Sequence, residues 1–139
     1  MSGLSPKFPL TYSGADGHYS LNKAYSSMIQ QNLKNLVLTS PGERLMDSDF
    51  GVGLYNFLFE LDSVDLRDEL TTRISQQVTR YMPFVNIENI EVHSPSEEPL
   101  YEQTQSNFLS VIINYEIPSL DIDEVLKISV LDFWYKLFI

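Results

Sequence analysis

A chain of 139 residues has room for one domain with its own core, and at 43% hydrophobic against 20% charged residues it is too apolar to stay disordered. Its 19 acidic residues outnumber 9 basic ones, for a formal net charge of -10, and no lysine-arginine run stands out; nucleic acid and anionic membranes are disfavoured as partners. The absence of cysteine removes disulfides, thiolate nucleophiles and cysteine-bound metals.

Residues 1–20 read as an arm. Pro6 and Pro9 oppose a helix, Phe8, Leu10 and Tyr12 alternate as on an edge strand, and Ser13 to Gly17 is turn chemistry. A docked strand and a partly ordered terminus both fit. Asn22 is the expected N-cap of a first helix over Lys23 to Leu38, where Tyr25, Met28, Ile29, Leu33, Leu36 and Val37 gather on one face. Thr39-Ser40-Pro41-Gly42 stops it. Residues 40–53 make a structured loop, and the apolar stretch 54–59 makes one or two helical turns.

A second long helix, capped by Asp62 or Ser63, runs to about Tyr81 with Leu66, Leu70, Ile74, Val78 and Tyr81 on one face. Asp65, Asp68 and Glu69 near its start and Arg80 near its end suit the helix dipole, and Pro83 ends it. From there the hydrophobic period becomes two. Val85 to His93 is a strand whose phase slips near Asn89, as a bulge would make it. A polar connection over 94–106 leads to the strand Leu109 to Ile117, a turn at Pro118 to Asp121, and a third strand from Val125 to Leu131. The order predicts an α+β fold, with two main helices packed on one face of an antiparallel sheet of about three strands.

Catalytic chemistry is hard to find. His18 and His93 are far apart in the chain and read as surface residues, and Gly51-Val52-Gly53 lacks the lysine of a phosphate loop. No serine has a recognisable histidine partner. Glu43, Asp47, Asp49, Glu60 and Asp62 offer carboxylates, but a glycosidase needs two of them opposed across a sugar cleft, and solvated or capping carboxylates are the default in so acidic a chain. No enzyme activity, cofactor or metal is expected. No run reaches the ~20 apolar residues of a membrane helix, and no leader-like start is visible, so the chain is expected to remain where it is made.

The most specific string runs from the first helix into the loop: Leu36-Val37-Leu38-Thr39, Gly42-Glu43-Arg44, Asp47-Ser48-Asp49-Phe50-Gly51, then Leu58-Phe59-Glu60. It resembles the signature of the baseplate wedge and sheath-initiator family of contractile phage tails, with relatives in type VI secretion and phage-derived injection particles. The resemblance covers roughly residues 21–131, leaving 1–20 as an arm and 132–139 as an aromatic tail. It departs at Ser48, where the family has proline, and at Met82-Pro83-Phe84, where many members have Glu-Pro-Arg that docks on a helical bundle of the wedge.

The resemblance implies a structural subunit in the virion's tail baseplate, assembled in the host cytoplasm in about six copies per particle. Its small domain would resemble the strand-exchange part of the tail sheath protein, and a sheet edge would receive a sheath strand and start sheath assembly. Wedge proteins would meet Glu43, Arg44, Phe50, Glu60, Met82, Pro83 and Phe84, with tube and spike or hub proteins as further candidates. Pro41, Gly42 and Gly51 would shape the loop. Trp134, Tyr135 and Phe138 either pack on their own domain or are held by another subunit. A peptidoglycan-cleaving lysozyme-like enzyme and a small regulatory adaptor of the same fold are the competing readings.

Overall fold

The computed structural model describes residues 3–57, 64–93 and 109–129. Its elements, in order, are β1 (Ser5–Pro6), β2 (Leu21–Asn22), α1 (Tyr25–Leu38), α2 (Leu54–Phe57), α3 (Val64–Tyr81), β3 (Asn86–His93), β4 (Ser110–Ile117) and β5 (Ile122–Ser129). The last three form an antiparallel sheet in the order β3-β4-β5, while β1 and β2 pair as a separate two-residue ladder. The fold is α+β, as the element order implies.

The sheet is two-sided by alternation. Val111, Ile113, Tyr115 and Ile117 of β4 are buried, and their cross-strand partners Leu126 and Ile128 lie beneath the same helices. Leu33, Leu36 and Val37 of α1 and Leu70, Ile74 and Val78 of α3 close the core from above. Each fully buried aliphatic side chain contributes about 1.5–3 kcal/mol of transfer free energy, so this shared apolar layer holds the helices to the sheet. β3 could not bury its apolar set in a straight register: Ile87 pairs with Tyr115 but Asn89 with Asn114, and the irregularity between them returns Ile90 and Val92 to the inner face. The phase slip in the sequence is this bulge.

Three expectations are corrected. Asn22 does not cap α1. That place is held by Ala24 without a side-chain cap, because the buried Asn22 amide is committed elsewhere: its Nδ2 reaches Ser5 Oγ at 3.2 Å and Gln31 Oε1 at 3.1 Å. Phe8, Leu10 and Tyr12 are not on a strand and all are exposed, since the arm pairs through Ser5 and Pro6 instead. β5 begins at Ile122, earlier than hydropathy suggested, because Glu124 has a use inside the sheet. It sits opposite Tyr115, whose hydroxyl donates to Glu124 Oε2 at 2.9 Å. Asp62, Ser63 and Leu131 lie outside the described residues.

Two tests follow from these buried polar groups. Removing the Asn22 amide leaves Gln31 and the arm short of a partner, so Asn22→Ala is expected to cost about 1–3 kcal/mol in urea unfolding and to speed trypsin cleavage after Lys7. Burial first, then the Glu124 carboxylate, raise the Tyr115 hydroxyl far above its ordinary value of 10.0. A raised folded pKa means that its contribution to stability is complete below pH ~10 and is lost as the pH climbs above that. The melting temperature is therefore expected to fall above pH ~10 by more in the native chain than in Tyr115→Phe.

Candidate docking surface

The chain leaves α1 through Thr39, whose backbone N–H and Oγ1 both donate to the Asn35 carbonyl, at 2.9 and 2.6 Å. It then turns out and back. Ser40 N donates to Glu43 Oε2 at 2.9 Å, and Gly42 N to the Ser48 carbonyl at 2.8 Å, closing the loop at its base. On return, Val52 N donates to the Leu36 carbonyl and Gly53 N to the Thr39 carbonyl, so the loop's end is laid along the end of the helix it left. Gly51 makes that approach possible. Its φ is +111°, and a Cβ there would stand 2.1 Å from the Thr39 oxygen.

Gln77 of α3 clamps the same stretch from the other side. Its Nε2 donates to the Asp49 carbonyl and its Oε1 accepts from Gly51 N, both at 3.0 Å. Phe50, between these two, is driven into the core and meets Tyr81 edge-on, with ring centroids 4.9 Å apart. The Arg44 guanidinium lies 3.6 Å above the Phe50 ring, a cation–π contact on the solvent side. Arg80 adds a second such contact to Tyr81 at 5.2 Å and a 3.5 Å ion pair with Asp49. Burial, with help from the Asp47 carboxylate, pushes the Tyr81 hydroxyl above its ordinary value.

Arg44, Phe50, Met82 and Phe84 thus line one shallow depression of about 280 Å³, with Asn32, Asn35 and Tyr81 completing its rim. Phe50 and Met82 are its buried floor, and Phe84 stands about half exposed beside the turn at Pro83, where Val85 N donates to the Met82 carbonyl. Pro41, Gly42 and Gly51 shape the loop. Glu43 faces solvent at its start. Glu60, Trp134, Tyr135 and Phe138 lie outside the described residues.

Composition did not single out Leu45 and Met46, yet they form the tip of the loop and are each 98% exposed. Their signal was present as two adjacent apolar residues inside an otherwise polar loop. Gln77 was also missed, since nothing in a helical repeat marks a glutamine as a clamp.

The loop thus presents an apolar tip at Leu45 and Met46 beside an aromatic floor, Phe50, covered by Arg44. Residues 23–120 match the model of the family described as baseplate wedge protein gp25, and the chain belongs to that family. Its role is that of a structural protein of a phage-type tail baseplate. The fold is also that of one chain in the cryo-EM baseplate of the anti-feeding prophage, with a TM-score of 0.63, 24% identity, and 79% of this chain and 81% of that one covered. A crystal structure of a candidate tail lysozyme from Geobacter sulfurreducens matches with the same TM-score at 15% identity, covering 79% and 93%. A comparison with curated proteins finds no match.

Gly42 and Gly51 differ in what surrounds them. Gly42 also has positive φ, but nothing lies within 4 Å of a Cβ placed there. Gly42→Ala should therefore cost about 1 kcal/mol, from conformation alone, while Gly51→Ala should cost about 3 kcal/mol because overlap with the Thr39 carbonyl is added. Paired urea titrations measure the difference; equal costs would show that Gly51 is not the pinch point.

Proposed function

We propose that this chain is a non-enzymatic wedge subunit that joins the wedge to the inner baseplate and supplies a sheet edge on which the first sheath strand is added. The observation that carries the wedge contact is the Leu45-Met46 tip. Two adjacent, fully exposed apolar side chains on a loop pinned by Gly51 and Gln77 gain by being covered. Burial of both is worth about 3–6 kcal/mol before association costs are subtracted. Met82-Pro83-Phe84 stand where many family members have Glu-Pro-Arg, and Met82 and Phe84 line the depression that Arg44 borders, so docking there is mainly apolar. Membership of the baseplate family supports the assembly context, and the sixfold symmetry of the anti-feeding prophage baseplate suits about six copies here.

Strand addition is supported by the sheet, whose outer strands β3 and β5 each have one neighbour among the described residues. Against the lysozyme-like alternative stands the setting of Asp49. It is exposed and paired with Arg80, the opposite of the apolar surroundings that keep a glycosidase acid protonated. We place assembly in the host cytoplasm and the working site in the tail baseplate.

The test is co-purification of the tagged full-length chain with the wedge and sheath proteins encoded beside it. Recovery of the wedge protein is expected, with at least a 100-fold loss of affinity in Leu45→Asp/Met46→Asp at an unchanged melting temperature. Truncation after Val130 asks separately whether the aromatic tail is needed for the sheath. A folded chain that ignores both partners and clears peptidoglycan would overturn the reading.

A further inference from the structure

The positive charge of this acidic chain is unevenly spread. Lys7 of the arm, Lys34 of α1 and Lys127 of β5 line one cleft of about 400 Å³, together with Phe8, Gln30 and Gln31, and no carboxylate among the described residues lines it. Lys7 and Lys127 are exposed and make no ion pair among the described residues, whereas Lys23 is paired with Asp16 at 2.7 Å. The cleft is built, and its outer wall is held in place. Phe8 N donates to Gln31 Oε1 at 2.9 Å, Gln31 Nε2 donates to the Pro6 carbonyl at 2.9 Å, and the buried Asn22 amide ties both to the ladder of β1 and β2. The floor is α1, along its Ser27, Gln30, Gln31 and Lys34 stripe, and the far wall is β5 at Leu126 and Lys127. That stripe differs from the one on which Asn32, Asn35 and Leu36 border the docking depression.

We propose that this cleft seats an extended acidic segment of another protein, its carboxylates between Lys7 and Lys127. Extension suits a site whose one wall is a strand, since alternate residues of a strand point the same way and can bring every second side chain to the lysines. Charge selects the occupant. A second copy of this chain would bring a net charge of -10 against another -10, and nucleic acid would meet the same repulsion with only three lysines to offset it. The repulsion is screened over about 8 Å at physiological ionic strength, so a contact at the lysines themselves survives it. The aliphatic stems of the lysines and the half-exposed Phe8 ring supply apolar contact beneath the charges.

The experiment uses the full chain and two fluorescent octapeptides, one alternating Glu with Thr and the other alternating Lys with Thr, read by anisotropy. The acidic peptide is expected to bind, to weaken as salt is raised, and to lose at least tenfold in affinity with Lys7→Glu/Lys127→Glu. The same loss should be absent in Arg73→Glu, which lies outside the cleft. Equal binding of the two peptides, or binding of the acidic one unchanged in the double variant, would overturn the proposal, as would failure of the acidic peptide to bind at low salt. A change in the chain's own oligomeric state in the double variant, with no peptide present, would assign the cleft to a second copy and overturn it as well. Leu45→Asp/Met46→Asp should bind the acidic peptide normally, so the cleft and the wedge contact succeed or fail independently.

Discussion

The close approach of Gly51 to the Thr39 carbonyl is the constraint on which the rest of the docking face depends. A helix that ends at Leu38 leaves its last carbonyls without helical partners, and here the Leu36 and Thr39 carbonyls are met by Val52 and Gly53 as the loop returns. Only a residue without a Cβ can pass so near, and only with φ positive. Phe50 is therefore forced inward immediately before the pinch, and Gln77 fixes the backbone on both sides of it. The exposed tip inherits its rigidity from these contacts at its base. Presenting Leu45 and Met46 on a fixed frame lowers the entropy lost when a partner covers them, which is how a short loop can serve as an anchor.

Much of the architecture was legible because periodicity reports burial. The helical spacing of Leu70, Ile74 and Val78 and the strict alternation of β4 marked the core faces, and the slipped phase near Asn89 marked the bulge. What was not legible depended on single polar side chains whose partners are distant in sequence. Asn22 has the chemistry of a helix cap and the position of one, but its amide is used 9 residues ahead at Gln31 and 17 behind at Ser5. Glu124 fell between the expected turn and the expected strand because its partner, the Tyr115 hydroxyl, is met only once the strands are in register.

The same division runs through the candidate site. Gly42, Glu43, Arg44, Phe50 and Gly51 were marked by their resemblance to the family's motif. Leu45 and Met46 fell between the marked positions. Their role follows from exposure, and exposure is a property of the folded surface that hydropathy reads in the wrong direction: two apolar residues in a row suggest interior, and here they are the outermost side chains of the loop.

The two proposed contacts fall on two faces of α1. Asn32, Asn35 and Leu36 border a depression whose central cation, Arg44, is laid over an aromatic ring, which reduces its demand for an anionic partner and suits an apolar one. Gln30, Gln31 and Lys34 border a cleft lined by three lysines and by no carboxylate among the described residues, which suits carboxylates. Affinity at the first surface comes from area removed from water and is insensitive to salt; at the second it comes from charge and falls as salt rises. An assembly that has to dock one subunit against several neighbours in order gains from contacts that differ in this way, because a partner suited to one surface gains little at the other.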